Sequence, residues 1–268
     1  MLKRTLAALV LALIGLPAVY LGGIYLFLLI AVFLGLAAWE YGRMFQKTGN
    51  HASLPTLVGG VLVILTTRIY FPDFVFLALT ISVLTAMAWH LVDYARGCDT
   101  AGVDFAITTA GFLYLGWIGA FLVELRGLDD GLWWFFLVLI SVWLADSFAY
   151  FIGVRFGKHK LSPRLSPKKT WEGYWGGVVF GTLGSVGLAM LFVAIGGPEV
   201  LWWKAAILGL ALSTLTTLGD LGESLLKRYV GVKDSSNLIP GHGGFFDRID
   251  SWLWGAAIGF YLVTWLIM

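Results

Sequence analysis

The sequence predicts an all-α, polytopic integral membrane protein with about nine transmembrane helices. Three observations carry that reading. Of the 268 residues, 59% are hydrophobic and only 13% are charged, about half the roughly 25% charged share of a soluble domain; the mean hydropathy is +0.85. Apolar runs near the ~20 residues needed to cross a bilayer core recur from end to end. The lysines and arginines cluster in alternate connections between those runs, as the positive-inside rule requires.

The first run, about 4–21, follows Lys3 and Arg4. It resembles a signal peptide, but it lacks a small-x-small cleavage site and leads straight into a second run, so a retained helix is expected. Gly22 and Gly23 alone separate it from the run at about 24–45, and the two could equally form a re-entrant pair. Further runs lie at about 53–71, 73–94, 103–125, 131–153, 173–196, 201–219 and 250–268. With the N-terminus in the cytoplasm, all but Arg68, Arg126 and Lys204 of the 18 basic residues fall on the inner side. The expectation is a single transmembrane domain over 1–268, N-in and C-out, in the cytoplasmic membrane. Its chemistry is placed mainly in 140–268 and faces the cytoplasm through loops at about 154–172 and 220–249.

Trp133-Trp134 and Trp202-Trp203 near run ends suit an interfacial aromatic belt. Gly176, Gly177, Gly181, Gly184 and Gly187 suit close helix packing. The single cysteine, Cys98, excludes an intrachain disulfide and a cysteine-based zinc site. No internal repeat suggests the two related halves of a transporter.

Charge concentrates between Ser224 and Asp250, SLLKRYVGVKDSSNLIPGHGGFFDRID. A helix continuing the 201–219 run puts Asp220, Glu223, Ser224 and Lys227 on one face, at i, i+3, i+4 and i+7. Neighbouring carboxylates repel unless a cation sits between them, and charge at a membrane boundary is costly, so the pair points to metal binding. Asp247 opens the last run from the same side. Asp220 and Asp247 are therefore the expected metal ligands, with Glu223 and Asp250 as further candidates. Hard oxygen donors suit Mg²⁺ shared with substrate phosphates. Between them, His242, Gly243 and Gly244 form a turn that can present backbone N–H groups to an anion, and a lone histidine argues against zinc. The other polar segment, SPKKTWEG, sets Ser166, Lys168, Lys169, Thr170 and Glu172 at a helix start suited to a polyphosphate. Asp146, inside the run 131–153, is expected to be a buried functional carboxylate. Glu40, Asp93 and Glu124 lie nearer run ends, where snorkelling or interfacial pairing is expected.

Ser224-x-Leu226-Lys227-Arg228, then Lys233-Asp234-x-Ser236, then Ile239-Pro240-x-His242-Gly243-Gly244-Phe245-x-Asp247-Arg248-Ile249-Asp250 resembles the signature of the phosphatidate cytidylyltransferase (CDP-diacylglycerol synthase) family, with no departure. Gly219-Asp220, SPKKTWEG and Asp146 with Ala149-Tyr150 look like features of the same family, so the resemblance covers roughly the C-terminal half. It implies transfer of a cytidylyl group from CTP to phosphatidate, giving CDP-diacylglycerol and pyrophosphate for phospholipid biosynthesis. It also implies Mg²⁺, a second, monovalent cation such as K⁺, and a homodimer of multispan subunits, with no nucleic-acid partner. Carried onto this chain, it implies Asp220 and Asp247 as metal-binding catalytic groups, with Lys227, Arg228 and Arg248 stabilising charge. Substrate contacts are implied for Ser166, Lys168, Lys169, Thr170, Glu172, Ser224, Lys233, Asp234, His242, Gly243, Gly244 and Asp146. Two alternatives stand beside it: a CTP-dependent polyprenol or lipid kinase, and, from a different class, a membrane transporter, which needs charge near mid-bilayer.

Overall fold

The computed structural model describes residues 2–239 and 243–268, with side chains from residue 9 onward. His242, expected to meet substrate phosphate, lies outside the described residues, as do Pro240 and Gly241. The chain is almost wholly helical: α1 Leu2–Leu21, α2 Gly23–Phe45, α3 Leu54–Tyr70, α4 Val75–Ala95, α5 Ala101–Phe112, α6 Phe121–Gly127, α7 Gly131–Phe156, then β1 Lys160–Ser162 and β2 Ser166–Thr170, then α8 Trp171–Ala194, α9 Trp202–Tyr229 and α10 Phe246–Leu262. A π-helical segment, Leu113–Ile118, follows α5, and another, Val263–Ile267, follows α10. Gly22 and Gly23 separate α1 from α2 with φ of 64° and 49°, a left-handed pair that side-chain-bearing residues rarely adopt.

Among the described residues six helical stretches are long and apolar enough to cross a membrane: Gly23–Thr48, Pro72–Ala95, Ala101–Gly127, Gly131–Phe156, Trp171–Ala194 and Trp202–Tyr229. Leu9–Leu21 and Leu54–Tyr70 are apolar but shorter. The chain is thus an all-α polytopic membrane protein. Two local features refine the expected loops. The segment 154–172 contains an antiparallel hairpin, with Lys160 opposite Thr170 and Ser162 opposite Ser166. The helical continuation expected beyond the 201–219 run runs to Tyr229, so α9 takes in the first ten residues of the loop placed at about 220–249.

Two compact units divide the chain: Met1–Val123 with Lys227–Ile249, and Glu124–Leu226 with Asp250–Met268. Each draws on two separated stretches of sequence. In the first unit, α2, α3, α4 and α5 pack around Leu34, Leu57, Ile64, Leu65, Phe112 and Leu115, all fully buried. Glycine brings backbones together there: a Cβ on Gly116 would stand 3.0 Å from the Val61 Cα. Several polar groups buried in this unit are bonded, as a low-dielectric interior favours. Asp104 accepts from the His51 backbone N–H at 2.8 Å and from the Thr100 hydroxyl at 2.7 Å, and Cys98 Sγ lies 3.7 Å from it. Arg68 donates to the Trp117 carbonyl at 2.6 Å in the π segment, its guanidinium lying over the Trp117 and Phe121 rings.

In the second unit the dominant contact is α7 against α8. A Cβ on Gly177 would stand 2.7 Å from the Ala145 carbonyl oxygen, one on Gly181 would stand 2.8 Å from the Ala145 Cβ, and one on Gly184 would stand 2.7 Å from Leu144. The expected packing role therefore holds for Gly176, Gly177, Gly181 and Gly184. It fails for Gly187, which faces open space. Ser185 on α8 donates to the Ala205 carbonyl at 3.1 Å, tying α9 to the pair.

Candidate active site

The polar residues of the second unit converge on α9 and the start of its α10 segment. One carboxylate oxygen from each of Asp220, Glu223 and Asp250 lies within 4.8 Å of the others. The helical continuation of α9 explains the first two, which sit three residues apart on one face. Ser224, a turn on from Asp220, donates to its Oδ1 at 3.4 Å. Lys169 reaches Asp220 Oδ2 at 2.5 Å. At this spacing two carboxylates repel by about 3 kcal/mol at an effective dielectric of ~20. Three such pairs outweigh the attraction of one lysine, so the donor set fits a divalent cation bound by hard oxygens.

The hairpin delivers Lys169. It sits on β2, and Thr170 at the strand's end caps α8, accepting from the Gly173 N–H at 3.2 Å. Glu172, in the first turn of α8, accepts from the backbone N–H of Lys158 at 3.0 Å and contacts His159 Nδ1 at 2.6 Å. Glu172 thus pins the chain leaving α7 to the helix entering α8, which fixes the strand between them. Ser166 is half-buried on the same strand and Lys168 is exposed. Asp146, expected to be buried, is exposed in the isolated chain. Its neighbour Ala145 faces the α8 glycines, and one residue on a helix turns ~100° away from that contact. Lys169, Asp250 and Asp220 nonetheless stand close enough for their charges to act on Asp146.

The signature segment belongs mostly to the first unit. Asp247 is buried there, its Oδ1 accepting from Lys227 Nζ at 2.8 Å. Its Oδ2 accepts from the Ser235 N–H at 3.0 Å and the Gly244 N–H at 2.7 Å, and lies 2.9 Å from Ser235 Oγ. Ile239 and Gly243 form a bridge that closes the turn, and Gly243 takes a φ of 82°. A Cβ on Gly243 would stand 2.6 Å from Asp247 Oδ2, so both conformation and space require glycine there. Arg228 donates to the Val232 carbonyl at 3.1 Å, holding the turn after α9. Lys233, Asp234 and Arg248 are exposed.

Sequence reasoning missed one member of this group. Glu40 on α2, expected at an interface, is fully buried. Its Oε1 accepts from the Ser236 hydroxyl at 2.6 Å and the Phe245 N–H at 3.0 Å. Its Oε2 accepts from the Phe246 N–H at 2.8 Å and lies 3.0 Å from Ser235 Oγ. The single Ser235 hydroxyl hydrogen therefore serves both Glu40 and Asp247. A cavity of about 340 Å³ opens beside Glu40, bordered by Trp39, Arg43, Lys47 and Ser236.

The family model described as "Cytidylyltransferase family" matches residues 2–266. The chain is 36% identical over 261 residues to a protein of Pseudomonas aeruginosa named phosphatidate cytidylyltransferase, covering 93% of this chain and 92% of that one. It is 33% identical over 257 residues to the protein of that name from Staphylococcus saprophyticus, covering 93% and 94%. It is 38% identical over 162 residues to the one from Bacillus subtilis, covering 60% and 59%. The similarity thus reaches well beyond the C-terminal half that carries the signature and takes in the helices that hold Glu40. The chain belongs to the cytidylyltransferase family and is a membrane-embedded nucleotidyltransferase.

Proposed function

We propose that the chain transfers the cytidylyl group of CTP to phosphatidate, forming CDP-diacylglycerol and releasing pyrophosphate. The observation that carries this reading is the meeting of Asp220, Glu223 and Asp250 with Lys169 of the SPKKT strand, in a chain whose relatives are named phosphatidate cytidylyltransferase. A phosphate oxygen of phosphatidate attacks the α-phosphorus of CTP. The new P–O bond forms as the bond to the α,β-bridging oxygen breaks, and pyrophosphate leaves in line. The attacking oxygen is already ionised, so the reaction needs positioning and charge neutralisation rather than a strong base.

Lys169, with exposed Lys168 beside it, binds the polyphosphate oxygens of CTP. Asp220, Glu223 and Asp250 would hold Mg²⁺, which would supply positive charge to neutralise the substrate phosphates. Lys227 and Asp247 form the buried charged pair of the signature, and Arg248 and Lys233 are free to meet anionic headgroups. The family likeness further supports a second, monovalent cation and a homodimer. The distribution of lysine and arginine supports nine spans, N-in and C-out, with the site opening to the cytoplasm where CTP resides.

Two samples of CTP, labelled at the α- or the γ-phosphate, test the reaction. Purified protein in phosphatidate-containing micelles should place the α label in lipid and leave the γ label in pyrophosphate. Lipid labelled from the γ position would make the protein a kinase instead.

A further inference from the structure

We propose that Glu40 is a positioning residue for the reaction, the anchor that shapes the signature segment around Asp247 and Lys227. Among the described residues it is as heavily bonded as Asp247, with four hydrogen bonds each, yet carries far less sequence signal. Four donors converge on it: two serine hydroxyls from the 235–236 turn and the two N–H groups of Phe245 and Phe246. Those N–H groups belong to the start of α10, where the first turn has no intrahelical acceptors and a carboxylate is favoured. Glu40 thus sets both where α10 begins and where the 235–236 turn lies.

Asp247 hangs between these two points. It takes the Ser235 N–H and the Gly244 N–H, on either side of the turn, and contacts the same Ser235 hydroxyl as Glu40. A shift of the turn moves the donors that hold Asp247, and with them the carboxylate that Lys227 meets. Gly244 records the same constraint: a Cβ there would strike both Glu40 carboxylate oxygens and Ser235 Oγ. A glycine that reads as a loop residue is therefore the space into which Glu40 fits. Glu40 is fully buried, and its four donors account for the charge being tolerated inside the unit.

The proposal rests on the reading that Asp247 and Lys227 serve the transfer, so the test has one arm that measures the reaction and one that does not. Glu40→Gln keeps the shape and one acceptor oxygen but sets an NH₂ group against the remaining donors. We expect kcat to fall about 10- to 100-fold, on the scale of a small misplacement of catalytic groups, with the KM for CTP changed less than about threefold. Ser236→Ala, which removes one donor, should lower kcat less, and its effect should be smaller still in the Glu40→Gln background. In parallel, hydrogen exchange should speed up in peptides covering 235–247 and stay unchanged in α8. Glu40→Gln with kcat within about twofold of the parent and unchanged exchange would overturn the proposal. Faster exchange spread over the whole chain would also overturn it, by making Glu40 a general stability residue. A parent protein inactive towards CTP, with local exchange still increased in Glu40→Gln, would sink the reaction reading and leave the anchor in place.

Discussion

Asp247 and Asp250, two acids of one signature, occupy different chemical settings. Asp247 accepts from a lysine and from backbone N–H groups in a buried position, whereas Asp250 joins Asp220 and Glu223 in a cluster of like charge. Removing the lysine leaves a buried carboxylate without its nearest cation, a change that costs about 3–5 kcal/mol in comparable buried pairs. Lys227→Met is therefore expected to lower the thermal midpoint of the detergent-solubilised protein by several degrees and to remove most activity. A midpoint and rate equal to the parent would show that the pair carries neither stability nor chemistry. The acids of α9 were legible in sequence because helical spacing puts Asp220, Glu223 and Ser224 on one face. Glu40 was not, because its partners lie 195 to 206 residues away. No local period links such distant positions, and a lone glutamate near a run end looks interfacial. Its only traces in the sequence are Gly244 and the serine pair, and neither names its partner.

At the scale of elements, the runs of apolar residues anticipated the helices closely, since each must satisfy its own backbone within lipid. The hairpin at Lys160–Thr170 escaped because three- and five-residue strands carry too few alternations to stand out from a basic loop. It matters more than its length suggests: it places Lys169 beside Asp220 through the Thr170 cap and the Glu172 contacts. The α7–α8 contact makes a sharper prediction. Gly181→Leu inserts a branched side chain against Ala145 and Ser213 and should destabilise the second unit by about 1–3 kcal/mol or more, as overpacking does. Gly187→Leu, facing open space, should be neutral. Size-exclusion profiles after heating check the pair, and equal losses in both variants would contradict the close-packed α7–α8 contact.

For the molecule as a whole, the N-terminal helices that looked merely hydrophobic prove to house the signature turn. Residues 227–249 belong to the same compact unit as 1–123, so a fragment limited to 140–268 should not be active, and loss of activity on deleting α1–α5 is expected. The proposed orientation is tested by single cysteines in a Cys98→Ala background. Arg164→Cys and Asn237→Cys, both at exposed positions, should react with a membrane-impermeant maleimide only after the inner face is opened. Glu199→Cys should react from outside in intact cells. Labelling of Arg164→Cys in intact cells would reverse the topology and with it the placement of CTP.

The proposed cation site joins Asp220, Glu223 and Asp250 in the service of cytidylyl transfer. The direct measurement is the initial rate of α-labelled CTP incorporation into lipid as a function of Mg²⁺ for the parent, Asp220→Asn, Glu223→Gln, Asp250→Asn and the exposed control Asp129→Asn. Each site variant should purify normally and lose at least ~10²-fold in rate at low Mg²⁺, the scale of one lost electrostatic stabiliser. Each should also need more Mg²⁺ for half its own maximal rate, while Asp129→Asn follows the parent. Site variants whose Mg²⁺ dependence and rate match the parent would show that these three carboxylates hold no catalytic cation.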